Sequence, residues 1–125
     1  MSEFSLILFL MSHQSMSYHY LFLVSNRLPV NPEYAEQFEE RFAEREARVD
    51  KMDGFISFHI LRPQKEGLPY VVQTTWESEA HFKAWTESDA FRAQHGQQRT
   101  LPENALLGRP EIEYHEIIQK SEKTS

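Results

Sequence analysis

The spacing of apolar residues changes several times along this chain of 125 residues, and this alternation constrains the fold more than any other feature. The segment YHYLFLVSNRL at 18–28 is rich in aromatic and branched residues, which favours a first strand. Asn31 then offers a side-chain cap, Pro32 suits the first helical position, and Glu33 favours the positive end of the helix dipole. A helix is therefore predicted to begin at this point.

The predicted first helix has an apolar stripe on one side, formed by Tyr34, Phe38, Phe42 and Val49. The charges of EQFEERFAEREARVDK lie between these positions, and such a run is typical of a solvated helix surface. It is assigned no function.

A hairpin with a long loop follows the first helix. Asp53 and Gly54 predict a turn into a second strand, FISFHILR. The connection from Pro63 to Pro69 leads to a third strand, YVVQTTW.

The last third of the chain contains two helical segments and a closing strand. Ser78 is expected to cap a second helix through Trp85, and Ser88 to restart a helical segment through about Gln97. IEYHEII at 112–118 then predicts strand four. The element order is βαββαβ, which is that of the α+β ferredoxin-like fold, an antiparallel sheet with its helices on one face.

The second face of such a sheet must be either wet or covered. In strand one both alternations are largely apolar, with Phe22 and Val24 on one side and Leu21 and Leu23 on the other. A lone domain would expose roughly several hundred Å² of apolar sheet, more than monomers usually tolerate. We therefore predict a homodimer packed through its sheet faces, a dimeric α+β barrel.

One domain is expected over residues 16–120, between two disordered ends. Residues 1–15 contain a short apolar run, but it has no basic segment before it and falls short of the roughly 20 apolar residues that span a bilayer. Neither secretion nor membrane insertion is predicted. Residues 121–125 belong to the polar end KSEKTS, which has nothing to bury.

Composition excludes several functions. Thirteen basic and 19 acidic residues give 13 − 19 = −6, and no Lys or Arg precedes Arg27, so nucleic acid is not an expected partner. Cys is absent, which removes disulfides and thiolate chemistry and fits a reducing, cytoplasmic setting. No HExxH, EF-hand, phosphate-loop or GxSxG pattern occurs.

Four histidines, His19, His59, His81 and His115, give only weak indications of a metal site. His19 and His115 could meet across neighbouring edge strands as a metal pair, but plain surface histidines explain both better. His59 and His81 have no partner by spacing.

Asn26 is the first candidate site residue. The two-residue period of a strand places it on the side of Phe22, Val24 and Leu28, where its carboxamide would be buried among apolar side chains. Two interpretations are open: a strand-end Asn that bonds the following turn, or a donor directed into a pocket.

Trp85 and His95 are the other candidates. Trp85 follows Phe82 by three residues and His95 follows Phe91 by four, spacings that also suit a core aromatic pair and an ordinary surface histidine. Residues 86–89 interrupt the helix between them, and a bend there could turn an indole and an imidazole toward one cleft.

The chain resembles the haem-degrading monooxygenases of the iron-regulated surface determinant type, within the antibiotic biosynthesis monooxygenase superfamily. The resemblance spans residues 18–119 and depends on SNRLPV, on DGF at 53–55, on VQTTWESEAHFKAW, and above all on SDAFRAQH at 88–95. Trp76 in the TTW segment is similar to a superfamily core position and is interpreted as packing only.

This resemblance implies a role for each of the three candidates. His95 looks like the axial ligand of haem iron. Asn26 resembles the distal amide, which can donate to bound oxygen or to a pyrrole nitrogen. Trp85 would press its rigid indole on the macrocycle and bend it. Haem would then be both cofactor and substrate, with O₂ as co-substrate and an external electron donor, either a reductase or a small-molecule reductant.

Further contacts to haem are expected from three residues. Phe22 shares the apolar stripe of Asn26, and Arg92 and Arg99 flank His95 and could meet the propionates. The connection at 97–110 is long for a compact domain and could serve as a mobile lid, or be an ordinary surface loop.

Two alternatives to haem degradation stay open. One is a cofactor-free oxygenase of a polyphenolic or quinol substrate, which would not need His95 as a ligand. The other is a haem carrier or sensor that binds through His95 without turnover.

Overall fold

The computed structural model describes residues 20–43, 49–98 and 102–124, and within the second range the side chains of 49–93. The predicted N-terminal extension at 1–15 lies outside the described residues. Residues 118–124 form neither helix nor strand.

Four antiparallel strands form one sheet in the order β2-β3-β1-β4. The strands are β1 (Leu21–Leu28), β2 (Phe55–Leu61), β3 (Tyr70–Trp76) and β4 (Glu111–Ile117). The central strand, β1, pairs with β3 on one side and with β4 on the other. The ferredoxin-like prediction is confirmed.

Three α-helices accompany the sheet in the described part of the chain, and local caps set where they begin. They are α1 (Ala35–Ala43), α2 (Glu79–Thr86) and α3 (Asp89–Gln98), with a 3-10 turn at Pro32–Tyr34 before α1. The Asn31 side-chain oxygen accepts from the Glu33 amide at 3.1 Å, as the sequence predicted. Ser78 caps α2 by accepting from the His81 amide at 3.3 Å.

The first helix differs from its prediction at one end. Phe38 is buried and Phe42 packs beside it, with ring centroids 4.9 Å apart. Val49 does not continue this stripe, because it begins a separate 3-10 turn, Val49–Lys51. It is buried with Phe22 and Trp76 instead, in another part of the core.

Two clusters of buried side chains form the core. The first, here called the indole cluster, contains Phe22, Val24, Val49, Trp76 and Trp85. The second, here called the α1 cluster, contains Leu28, Phe38 and Tyr70.

Trp76 is the largest fully buried side chain among the described residues. Its indole nitrogen donates to the Thr74 hydroxyl at 3.0 Å, so its burial leaves no polar hydrogen without a partner. The interpretation of Trp76 as a packing residue is confirmed.

The sheet face turned away from the helices is more polar than predicted. Strand alternation places Ser25 and Arg27 on this outer face with Leu21 and Leu23, and the register adds Gln73. The Gln73 amide donates to the Ser25 hydroxyl at 3.3 Å, which satisfies two polar groups within the sheet. The prediction that both faces are largely apolar is therefore wrong for the middle of this face.

A charged network that the sequence did not reveal joins α1 to the β2–β3 hairpin. Arg62 donates through Nε to Glu39 at 2.9 Å and through Nη2 to the second carboxylate oxygen, and the Tyr70 hydroxyl also donates to Glu39. The hydrogen bonds from Arg62 and then Tyr70 lower the pKa of Glu39 to about 2.

This network predicts an acid-sensitive contribution to stability. Because the pKa of Glu39 is depressed on folding, its contribution is present at neutral pH and is lost as pH falls from about 4.5 toward 2. We expect Glu39→Gln to reduce the free energy of unfolding by about 1 kcal/mol at pH 7, since solvent screens this partly exposed pair.

Urea denaturation at pH 7 and pH 3 measures the effect, with Glu36→Gln, an exposed residue of the same helix, as the matched control. A Glu39→Gln protein as stable as wild type at pH 7 would contradict the assignment.

Candidate functional site

Asn26 lies on β1 where the two core clusters meet. Its neighbours in the helix-facing row are Val24, in the indole cluster, and Leu28, in the α1 cluster. Its side-chain oxygen is buried and has no hydrogen-bond partner among the described residues. An unmet buried acceptor costs about 1–3 kcal/mol, so this position is not optimised for stability.

The simpler interpretation of Asn26, in which its oxygen bonds the following turn, is therefore not what the structure has. Asn31 instead forms the local contacts of that segment, since its side chain both caps the 3-10 turn and donates to the Asn104 carbonyl at 3.1 Å. For Asn26 the structure therefore favours the second interpretation, in which its polar group is directed into a pocket.

An open apolar strip lies beside Asn26 on the edge strand. Ile112 pairs with Asn26 and Tyr114 pairs with Val24, so both side chains lie on the helix-facing side of the sheet. They are nevertheless 53% and 54% exposed. The helices thus leave the β4 side of this face uncovered.

Phe22 lies at the inner border of the strip. Its ring stacks on Tyr114 with centroids 5.8 Å apart and an interplanar angle of 19°, and it lies 5.9 Å from the Phe82 ring. Phe22 itself is buried, so its ring packs against the core side of the strip.

Trp85 is on α2 and is 6% exposed. It belongs to the same cluster as Phe22 and Val24, and its indole meets the Phe91 ring edge-on at 5.5 Å. The position suits both interpretations made from the sequence, because the indole fills the core and also gives this part of the domain a rigid wall.

The predicted bend between α2 and α3 is confirmed. The Ser88 hydroxyl donates to the Trp85 carbonyl at 2.6 Å and accepts from the Phe91 amide at 3.1 Å, so one side chain ends α2 and begins α3. His95 lies on α3, and its side chain is outside the described part of the structure.

Arg92 and Arg99 are the two arginines predicted to meet the haem propionates. Arg92 is exposed on α3, with its guanidinium 3.4 Å from the Asp89 carboxylate. Arg99 lies outside the described residues. The structure places Phe22 and Trp85 in one core cluster and Asn26 next to Val24 of that cluster in the strand row, and the roles of all the predicted site residues stay predictions.

The described part of the connection before β4 is anchored. The Asn31 amide donates to the Ala105 carbonyl at 2.8 Å, and the Leu107 amide donates to the Pro29 carbonyl at 2.7 Å. Ala105 is buried. The idea of a mobile lid is therefore wrong for residues 102–110, because these bonds hold the loop against the end of β1.

His81 has partners that its spacing did not suggest. Its Nδ1 lies 2.7 Å from the Ser78 hydroxyl and its Nε2 lies 3.7 Å from the Asp53 carboxylate. The turn at Gly54, with φ of 81°, brings Asp53 here, and the His81 ring leaves no room for a side chain at Gly54.

The described residues contain neither a metal-ligating cluster nor a membrane-spanning helix. Among the described residues no group of three or more His, Asp or Glu side chains could hold a metal ion. His115 lies on β4 opposite Leu23 and His19 is outside the described ranges, so their pairing stays a prediction. No helix within the described ranges is long and apolar enough to cross a membrane.

Comparison with known proteins agrees with this fold. The family model described as antibiotic biosynthesis monooxygenase matches residues 21–97. A haem oxygenase (staphylobilin-producing) of Staphylococcus haemolyticus is 32% identical over 95 residues, covering 74% of this chain and 90% of that protein. A haem oxygenase (mycobilin-producing) of Mycobacterium tuberculosis is 38% identical over 71 residues, covering 57% and 68%.

A solved structure of a similar protein has the same fold as this chain. The haem degrader of Mycobacterium tuberculosis, with two haems bound in its active site, superposes with a TM-score of 0.67 at 29% identity, covering 81% of this chain and 99% of that one. The chain belongs to the antibiotic biosynthesis monooxygenase family. The names of its relatives also confirm the predicted enzyme class, a haem oxygenase-type monooxygenase.

The unmet acceptor at Asn26 predicts an unusual gain in stability. We expect Asn26→Leu to raise the free energy of unfolding by about 1 kcal/mol, because an apolar side chain removes the unpaired oxygen. Asn31→Ala is the control and should lower it by about 1 kcal/mol through loss of a cap. Urea denaturation of the haem-free protein measures both, and a less stable Asn26→Leu protein would mean that the amide has a partner after all.

Proposed function

We propose that the protein is a haem-degrading monooxygenase that binds haem as both cofactor and substrate, uses O₂ and external electrons, and opens the porphyrin ring to release iron. The observation that supports this best is the buried, unpartnered oxygen of Asn26 beside the uncovered strip of Ile112 and Tyr114. A flat apolar ligand with a polar centre fits such a surface. Haem supplies the iron at which O₂ is reduced.

His95 is proposed as the axial ligand, with a neutral imidazole nitrogen bound to iron. It is on α3, whose start is fixed to the end of α2 by the Ser88 hydroxyl. That hydrogen-bonded junction connects the helix that carries Trp85 directly to the helix that carries His95.

Asn26 is proposed to supply a preorganised polar group near the reacting atoms. Its position on the central strand, paired on both sides, holds the amide without any rearrangement during the reaction. Its NH₂ group would donate to a ligand bound beside the strand, whereas its oxygen, which has no partner among the described residues, can only accept a hydrogen bond.

Trp85 is proposed to distort the bound ring. Its indole is packed among Phe22, Val24 and Phe91, and a packed interior yields little. A planar ligand pressed against it therefore bends more readily than the protein does.

The remaining contacts are proposed to be peripheral. Phe22 is proposed to pack beneath the ligand, and Arg92 and Arg99 are proposed to pair with the propionates. For Arg92 this requires exchanging the Asp89 carboxylate, 3.4 Å away, for a propionate. Such an exposed exchange is expected to contribute little affinity.

We expect the enzyme to act as a cytoplasmic homodimer with a reductase or a small-molecule reductant. Leu21, Leu23 and Val71 on the outer sheet face are half-buried apolar residues that a second copy would cover. Ser25 and Gln73 already bond each other and could be buried with them at low cost.

Titration of the purified protein with haemin, followed by ascorbate under air, tests the function. We expect a Soret band that decays while iron is released. Absence of a Soret band would favour a cofactor-free oxygenase, and a band stable to ascorbate would favour a haem carrier or sensor.

Two variants test the roles of the site residues in the same assay. His95→Ala should lose the Soret position of an imidazole complex, whereas Trp85→Phe should still bind haemin but degrade it at least about tenfold more slowly, because a smaller ring bends the porphyrin less. Phenylalanine is used since alanine at a buried Trp costs about 3–5 kcal/mol of stability. Degradation by Trp85→Phe at the wild-type rate would remove Trp85 from the mechanism.

A further inference from the structure

Tyr114 lies on an edge strand but on the side of the sheet that contains the core. It pairs with Val24, and its ring contacts Phe22 at 5.8 Å and Phe82 at 5.9 Å. These two rings support it from the core side only. The side chain remains 54% exposed, so part of its surface is free for another contact.

The exposed surface of Tyr114 lies close to Asn26. Ile112 pairs directly with Asn26, and Tyr114 is two residues further along the same strand. Residues two apart on a strand lie on one face, roughly 7 Å from each other. Asn26, Ile112 and Tyr114 therefore border one continuous patch with one unmet polar atom and two half-exposed apolar side chains.

The proposed dimer would not cover this patch. Dimerisation through the outer sheet face uses the opposite alternation of β1 and β4, that of Leu23 and His115. Exposure of Tyr114 and Ile112 would thus persist in the assembled enzyme, which points to a ligand and not to a second copy.

We infer that Tyr114 is a stacking residue of the haem site, so that its ring face sets the affinity for the tetrapyrrole and the orientation of its plane. The inference rests on the proposed function and extends it to β4, a strand to which the sequence assigned no haem contact. Because the ring is already held by Phe22 and Phe82, little side-chain freedom is lost when a planar ligand packs on it. The contact depends on the ring face, not on the hydroxyl.

Haemin titration of the full chain, followed at the Soret band, tests this inference. Tyr114→Ala should weaken haemin binding about tenfold and shift the Soret maximum, while Tyr114→Phe should bind within about twofold of wild type. Tyr114→Leu keeps an apolar side chain against Phe22 without the flat ring, and it should behave like the alanine variant. Ile56→Ala, a 40% exposed apolar residue of the opposite edge strand, is the matched control and should bind as wild type does.

Each other result has a distinct meaning. Wild-type affinity and an unshifted band in both Tyr114→Ala and Tyr114→Leu would overturn the inference alone. A loss in Tyr114→Phe equal to that in Tyr114→Ala would overturn it in favour of the hydroxyl. A wild-type protein with no Soret band would overturn the proposed function, and the role of Tyr114 with it.

Discussion

The rest of the structure depends on the pairing of β1 with β3 on one side and with β4 on the other. This central strand contributes Phe22 and Val24 to the indole cluster and Leu28 to the α1 cluster, so both parts of the core are built on it. Asn26 lies between these two sets, at the only place in the row where an amide replaces an apolar side chain. A strand fixed on both edges can hold such a group in place although it is costly to bury.

The helices cover some strands of the sheet and leave the edge strand β4 partly uncovered. Phe38 of α1 packs with Tyr70 in the cluster that Ile60 borders, and Trp85 and Phe82 pack with Phe22 and Trp76, so the helix-facing side of β2, β3 and most of β1 is covered. The edge strand β4 is left with Ile112 and Tyr114 half-exposed on the inner side. The same packing that stabilises the domain therefore produces the surface on which the proposed ligand would lie.

The network of Glu39, Arg62 and Tyr70 and the side chain of Asn26 differ in whether their polar groups have partners. The Glu39, Arg62 and Tyr70 network ties α1 to the hairpin with every partner satisfied, on the side of the sheet away from β4. The Asn26 side-chain oxygen is the opposite case, a buried atom that has no hydrogen-bond partner within the described ranges. A buried polar atom without a partner calls for an explanation, and a ligand site is the one proposed for it.

The sequence by itself determined the element order and where the helices begin, because Asn31, Ser78 and Ser88 act through hydrogen bonds to residues two or three positions away. It also placed Asn26 on the buried side of β1, since strand alternation is a local property. Features that depend on distant partners came from the tertiary structure. It joined Glu39 to Arg62, brought Asp53 to His81, and left Tyr114 uncovered, because each of these follows from which strands and helices become neighbours and not from the spacing of residues along the chain.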